Sequence, residues 1–391
     1  MFIFSTKKYI SLVLVALAKI SMLVGCTQQT VHMRMPKPEK QGEILEQQKA
    51  STSIFMQEEP TFAVLLLHDL AVGPDQALAE KISYKFGREM FIIQPNHNSS
   101  IQSLPTRSIT NQASDVFNYI KVEMKKFYKN PETFPLAIIG HGAGGVLAFE
   151  LAKNYKNELN ICALVPVGAP LNGYPLLNNV DKGSEFISEA SDGIKLLEGD
   201  SAFSTQLSIR GRSWGYSLLK IIPGFASGGT DLLPGSESIK KVSSFLRAGA
   251  NGIPCLLIAG YQNDFKKLFS EKNFNDTHDQ TIKNLEKAYT KLVTGKEEEL
   301  HDNMVPLRNQ LCRGNSFHDL TETELFKDKV YMKMPEQNNI EGYIYKDLIH
   351  FKQIIPISPG LYECSGGKVK ILSDCEPALD DLVKFIREHI R

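Results

Sequence analysis

The sequence lacks both a net charge and a recognisable nucleotide-binding loop. Lys and Arg together number 44 and Asp and Glu also number 44, so no bulk field of one sign attracts nucleic acid. The P-loop pattern G-x-x-x-x-G-K-[ST] is absent. No repeat, coiled-coil pattern or extensively disordered composition is present either, which leaves an ordinary globular chain of 391 residues.

The six cysteines lack the spacing of a zinc or redox site. Cys162 and Cys255 fall in apolar runs, so we expect both to pack as buried thiols. Cys364 and Cys375 flank a Ser-Gly-Gly turn and could bridge a hairpin, although spacing does not determine connectivity. The sequence therefore predicts no metal and no cofactor.

The first residues have the features of an export signal. Lys7 and Lys8 precede a short apolar run, which is interrupted at Lys19 and resumes up to Cys26. The Leu-Val-Gly-Cys sequence that ends at Cys26 resembles the bacterial lipobox, in which the Cys becomes the lipidated first residue of the mature protein. The resemblance implies a signal peptide over residues 1–25 and a lipoprotein anchored to a membrane of the cell envelope. An uncleaved membrane anchor is the alternative.

Residues 26–60 comprise the Cys and a segment rich in Gln, Lys, Glu, Met and Pro, without apolar periodicity. We predict a flexible tether, and a coil of that length reaches on the order of 30 Å. The folded domain is expected over residues 61–391.

Apolar strands alternate with helices along this domain. The predicted strands are Phe62–Leu67, Met90–Ile93, Leu136–Ile139, Ile161–Val167, Ile253–Gly260 and Lys329–Met334, and the predicted helices are Ala77–Phe86, Ser114–Tyr128, a helix from Val146, and Pro377–Ile390. This alternation predicts an α/β fold with a mostly parallel, doubly wound sheet and helices on both faces.

The segment that organises the chain is a strand, a tight turn and a helix around Gly140-His-Gly142-Ala-Gly144-Gly145. This frame resembles the G-x-S-x-G nucleophile elbow of the α/β-hydrolases, the lipases and esterases among them. Gly142 stands where the family has its Ser nucleophile. The elbow backbone costs a non-Gly residue about 1–3 kcal/mol, whereas Gly adopts it freely. The resemblance therefore implies an intact α/β-hydrolase fold that has lost its nucleophile.

The turn His68-Asp69-Leu70 follows the first predicted strand and resembles the His-Gly turn of lipases and esterases. The resemblance implies an oxyanion hole formed by the backbone N–H groups of Leu70 and Ala143. Asp69 replaces the Gly that the family prefers, and its carboxylate would oppose a developing oxyanion if it pointed inward. We expect His68 to be a strand-end histidine without a direct catalytic role.

Two further motifs follow in family order. Asp302-Asn-Met-Val-Pro resembles the family's Asp-Gly-x-Val-Pro, which implies that Asp302 is the acid of the triad, with Asp264 as the alternative. His350 stands after the acid and before the last helix, where the catalytic His of the family comes, and His318 is the alternative.

Two insertions are predicted. The turn that begins at Gly168 and the Leu-Leu-Pro-Gly-Ser phrase that ends at Ser236 resemble segments that flank the active site of lipases. They imply a lid or cap over residues 174–247. A second, helical insertion is expected over residues 265–299.

Three functions remain open from the sequence. The first is a degenerate lipase/esterase-like protein that binds a lipid or acyl ligand. The second is an active carboxylic-ester hydrolase that uses an atypical nucleophile or a His-activated water. The third is a surface scaffold that contacts a protein partner through the lid region. None of them involves nucleic acid.

Overall fold

The residues that the structure describes form a seven-stranded sheet. A computed structural model describes residues 60–69, 75–87, 90–95, 107–179, 227–262, 264, 267, 279–312, 327–333, 337–350 and 369–390. The strands are β1 (Phe62–Leu67), β2 (Met90–Ile93), β3 (Leu136–His141), β4 (Ile161–Val167), β5 (Cys255–Tyr261), β6 (Lys329–Lys333) and β7 (Ile340–Lys346).

The strand order is β2-β1-β3-β4-β5-β7-β6. Every pair is parallel except the edge pair of β6 and β7, which is antiparallel. The chain leaves β1 toward one edge of the sheet and β3 toward the other, so the carboxyl ends of these two neighbouring strands form a topological switch point. Ligand sites of open α/β sheets lie at such a point.

Helices cover both faces of the sheet. The α-helices are α1 (Gln76–Phe86), α2 (Ile109–Lys125), α3 (Ala143–Tyr155), α4 (Ser227–Asp231), α5 (Glu237–Arg247), α6 (Asp279–Thr294), α7 (Leu307–Gln310) and α8 (Glu376–His389). One hydrophobic core includes residues of α2, α3 and α5, and the other includes residues of α1 and α8. The predicted α/β class, with a mostly parallel, doubly wound sheet, is confirmed.

The central strands explain why the sheet lies between two layers. All six residues of β1 are buried, as are the first five of β3. Continuous apolar runs of this kind are typical of parallel strands whose two faces are both covered. The sheet therefore holds its carboxyl edge, where the candidate site lies, on a rigid base.

Several predicted boundaries are wrong. Helix α2 begins at Ile109 rather than Ser114, because the Ser108 side chain accepts a hydrogen bond from the Asn111 N–H and caps the helix there. Helix α3 begins at Ala143 rather than Val146, directly after Gly142. The sequence also gave no separate prediction of β7, which pairs with β5 and β6.

The cysteines of the described residues are free thiols. Cys255 is buried and Cys162 half-buried, and both are free thiols. Cys375 is also a free thiol, and its possible hairpin partner Cys364 lies outside the described residues. Within the described ranges, no helix is long and apolar enough to cross a bilayer. The signal peptide, Cys26, most of the tether and residues 180–226 of the lid lie outside these ranges.

Candidate functional site

The turn between β3 and α3 has a backbone conformation that favours glycine. Gly142 adopts φ 55° and ψ −126°, a conformation that residues with a side chain rarely take. Its N–H donates to the Val167 carbonyl at 2.9 Å, which ties the turn to the end of β4. The elbow is therefore formed although no side chain projects from it.

The carboxylate of Asp69 fills the space above the elbow. A Cβ added at residue 142 would lie 2.5 Å from Asp69 Oδ2 and 2.6 Å from Oδ1. Asp69 follows β1 by two residues, and β1 lies beside β3, so the topology brings this carboxylate to the elbow. The side chain points inward, in the orientation that opposes an oxyanion.

Within the described part of the chain, three hydrogen-bond donors contact this carboxylate, which is 2% exposed. The Ala143 N–H donates to Oδ1 at 2.6 Å. Oδ2 lies 3.0 Å from His350 Nε2 and accepts the Tyr174 hydroxyl at 3.0 Å. Asp69 thus takes up the backbone donor that the sequence assigned to an oxyanion hole and the ring nitrogen that would serve a nucleophile.

On its other side, His350 contacts Asp302. The distance from His350 Nδ1 to Asp302 Oδ2 is 2.8 Å, and the His350 N–H donates to the Asp302 carbonyl at 2.8 Å. Asp302 Oδ1 accepts the N–H groups of Met304 and Val305 at 3.0 and 2.7 Å. The Asp302 carboxylate is therefore held in place by its own loop through Oδ1, and Oδ2 contacts the His350 imidazole.

Gly168 makes room for this pair at the end of β4. A Cβ there would lie 2.9 Å from both Asp302 Oδ2 and His350 Nδ1, and the φ of +55° is itself unfavourable for other residues. The close approach of acid, imidazole and sheet therefore requires Gly at this position.

Two carboxylates hold His350 in its charged form. Burial alone would lower the pKa of His350, but the charges and hydrogen bonds of Asp302 and Asp69 raise it to about 10. Burial likewise opposes ionisation of Asp69, yet the hydrogen bond and charge of His350 bring the pKa of Asp69 below its usual value. An imidazolium donates from both ring nitrogens, which matches an acceptor on each side.

Two other rings border the imidazole. The His141 ring stacks on the His350 ring with 4.4 Å between centroids. Burial, together with the nearby charge of His350, lowers the pKa of His141 to about 3, so His141 is neutral. Burial and the two carboxylates raise the pKa of Tyr174 well above its usual value, so its hydroxyl remains a donor.

The structure brings four of the candidate residues together, namely Gly142, Ala143, Asp302 and His350. Asp302 rather than the alternative Asp264 contacts His350. The other candidates Leu70, His318 and Cys26 lie outside the described residues. The catalytic or binding role of the four remains a prediction.

Sequence reasoning missed Tyr174 and the stacked His141, and it left the direction of Asp69 open. His141 occupies the x position of the elbow motif, which is a signal that could have been weighed. Tyr174 directly follows the Gly173 turn and has no comparable signal. His68, expected to be a strand-end residue, is buried and its Nδ1 lies 3.0 Å from the Asp69 carbonyl oxygen.

The described residues include no group of three or more His, Cys, Asp or Glu side chains that could hold a metal ion.

Comparison with known proteins gives no function. No protein-family model matches the sequence, and no curated protein is significantly similar to it. Solved structures that resemble it include MenH from S. aureus, which is 10% identical with a TM-score of 0.37 over 85% of this chain and 96% of that one. The Bacillus licheniformis lipase BlEst2 is 14% identical with a TM-score of 0.36 over 66% and 82%.

A soluble variant of monoglyceride lipase from Saccharomyces cerevisiae is 12% identical, with a TM-score of 0.34 over 84% of this chain and 87% of that one. Similarities this low carry no inference about activity. The sheet, the elbow after β3, and an acid and a His that follow it in chain order are the features of an α/β-hydrolase fold.

Proposed function

We propose that this protein is a membrane-anchored lipoprotein with a lipase/esterase-like fold that no longer catalyses serine-type ester hydrolysis and instead binds a lipid or acyl ligand. The observation that carries the loss of catalysis is the Asp69 carboxylate, which fills the nucleophile's space and contacts both His350 and the Ala143 N–H. The binding role rests on the sequence resemblance and on the predicted lid and anchor.

Each part of the serine mechanism is blocked by a specific feature. Gly142 offers no hydroxyl to attack an acyl carbon. A general base must be free to accept a proton. Two carboxylates raise the pKa of His350 to about 10, so its ring is already protonated at neutral pH. The Ala143 N–H already donates to Asp69 and is not available to a tetrahedral intermediate.

A labelling experiment tests this proposal. The purified full chain is treated with a serine-directed alkyl phosphonate, and binding of a fluorescent acyl ester is measured in parallel. We expect no covalent adduct and a saturable binding curve. A phosphonate adduct on any Ser would contradict the loss of catalysis. Absence of acyl-ester binding would contradict the binding role and favour the scaffold function.

The anchor is tested separately from the site. Cys26→Ser removes the residue that the lipobox resemblance assigns to lipidation, so it should abolish incorporation of labelled palmitate and move the protein from the membrane to the aqueous fraction. Cys162→Ser is the matched control because Cys162 lies in β4, and it should leave both unchanged. Palmitate incorporation that survives Cys26→Ser would contradict the proposed anchor.

A second candidate function is ester hydrolysis with Asp69 as the atypical nucleophile, and the same carboxylate position favours it. An Asp69 oxygen would attack the acyl carbon and form an anhydride, while the alkoxide leaves with a proton from His350. The neutral His350 would then take a proton from water as the water opens the anhydride. This step would release the acid and restore the Asp69 carboxylate and the imidazolium.

Turnover by the wild type separates the two functions. If Asp69 is a nucleophile, the wild type hydrolyses short acyl esters and Asp69→Asn abolishes the reaction. When water opens the anhydride at the Asp69 carbonyl, a single turnover in ¹⁸O-labelled water leaves the label in Asp69. If the protein only binds, the wild type and Asp69→Asn are equally silent.

A further inference from the structure

The groups around Asp69 form an anion-binding site whose occupant belongs to the same chain. A backbone N–H, an imidazolium N–H and a phenol O–H converge on the two oxygens of one carboxylate at 2.6 to 3.0 Å. Charge-assisted donors of this kind are the ones that bind a carboxylate or an oxyanion most strongly. We refer to Ala143 N–H, His350 Nε2–H and Tyr174 O–H as the three-donor site.

Each donor is positioned by contacts that do not involve Asp69. The Ala143 N–H lies in the first turn of α3, where the helix dipole favours negative charge. His350 is held by Asp302 through Nδ1 and through its backbone N–H. Tyr174 is buried, and its N–H donates to the Leu232 carbonyl at 2.8 Å. Removal of the Asp69 side chain should therefore leave the three donors in place and remove the carboxylate that they share.

We propose that Asp69 is the internal ligand of this three-donor site, and that it makes the protein accept uncharged acyl esters and exclude free carboxylic acids. The proposal rests on the proposed binding function. With Asp69 in place, the buried cluster contains two carboxylates and one imidazolium. A fatty-acid carboxylate brought beside it finds its donors occupied and meets like charge, whereas an ester carries no charge to be repelled.

The first experiment asks whether the three-donor site can be emptied. Asp69→Gly in the full chain is titrated with acetate against chloride at equal ionic strength, with thermal unfolding and calorimetry as readouts. We expect saturable acetate binding that raises the midpoint of unfolding, because a ligand of the folded state stabilises it. The added change Tyr174→Phe removes one donor and should weaken acetate binding about tenfold, since a hydrogen bond to a charged group contributes on that scale.

The second experiment measures selectivity with octanoate and methyl octanoate. The wild type should bind the ester and should bind the acid at least about tenfold more weakly, as like charges in a partly buried site repel by more than that ratio requires. Asp69→Asn keeps the three-donor site filled but removes the charge of residue 69. The difference in affinity between methyl octanoate and octanoate should therefore become smaller, and the variant should not bind acetate. Because this variant retains the shape of the side chain, it keeps the test decisive even if Asp69→Gly does not fold.

The outcomes are distinguishable. Equal affinity of the wild type for acid and ester would overturn the selectivity while the binding function stands. If Asp69→Gly folds and binds no acetate, the internal-ligand assignment is wrong. If neither octanoyl compound binds the wild type, the proposed function and the selectivity both fail, and acetate binding by Asp69→Gly would then support the three-donor site alone.

Discussion

Asp69 Oδ2 lies 3.0 Å from His350 Nε2, while Oδ1 of the same carboxylate accepts the Ala143 N–H at 2.6 Å. In an active serine hydrolase, the nucleophile's hydroxyl faces this ring nitrogen and the substrate's oxygen faces this N–H. Under the proposed function, one side chain from the end of β1 takes the places of both. Gly142 and Asp69 are therefore coupled, because a side chain at residue 142 cannot coexist with the present position of Asp69.

Asp302 should contribute more to stability than an ordinary surface Asp. Asp302→Ala removes one partner of the buried His350 pair and the acceptor of two backbone N–H groups, so we expect a loss of about 3–5 kcal/mol. Asp380→Ala is the matched control, because Asp380 lies on the exposed face of α8 and pairs with Lys85 at the surface, and it should cost about 0–1 kcal/mol. Urea unfolding measures both, and similar losses would show that Asp302 is not part of a tight buried pair.

Gly168 should tolerate a methyl group poorly. Gly168→Ala places a Cβ 2.9 Å from Asp302 Oδ2 and His350 Nδ1 at a φ of +55°. Gly235→Ala is the control for backbone strain alone, since Gly235 has a φ of +80° and open space around its Cβ position. The control should cost about 1–2 kcal/mol, and Gly168→Ala should cost clearly more. If thermal unfolding showed equal losses of stability for the two variants, Asp302 and His350 would have moved to make room for the added methyl group.

Stability should decline on the alkaline side of neutrality. The folded pKa of His350 is about 10 against an ordinary 6.5, so the folded state keeps a proton that the unfolded state releases. The stabilisation is complete below pH 6.5 and is lost as pH rises from there toward 10. Unfolding free energies between pH 7 and 9 should fall in the wild type and vary less in His350→Gln. If the unfolding free energies of the two proteins changed with pH in parallel, a charged His350 would be contradicted.

Acidification should destabilise the protein through two other histidines. Burial, together with the charge of His350, lowers the folded pKa of His141 to about 3. Burial also lowers the folded pKa of His301 to about 3. Only the unfolded state gains their protons as pH falls below 6.5, so their contribution is lost between pH 6.5 and 3. His301→Gln should reduce the slope of unfolding free energy by about 1.4 kcal/mol per pH unit between pH 5.5 and 4. An unchanged slope would show that His301 titrates normally.

Sequence patterns predicted the backbone path better than the positions of side chains. The apolar runs of β1 and β3 identify buried parallel strands, and the glycines from Gly140 to Gly145 identify the turn between β3 and α3. The start of α2 was missed because Thr110, Asn111 and Gln112 resemble a polar loop, although Gln112 is buried with its amide donating to the Arg107 carbonyl.

In the candidate site, too, the order of the residues was predictable and the directions of some side chains were not. Motif order was enough to propose Asp302 and His350, and the structure places them 2.8 Å apart. The inward direction of Asp69 and the contact from Tyr174 depend on loop conformations after β1 and β4, for which one-dimensional patterns contain no information. The feature that most affects the proposed function was therefore visible only in three dimensions.

The role of Asp69 is tested by hydrolysis of a nitrophenyl ester by four versions of the full chain. These are the wild type, Gly142→Ser, Asp69→Gly with Gly142→Ser, and that double variant with His350→Ala. The wild type should be silent. Gly142→Ser should also remain silent, because the new side chain meets the Asp69 carboxylate and His350 stays charged.

The double variant should gain turnover at least about a hundredfold above background, since a freed His350 can then act as a general base, and His350→Ala should remove the gain. Turnover by the wild type, or by Gly142→Ser with Asp69 unchanged, would contradict the claim that Asp69 occupies and silences this site.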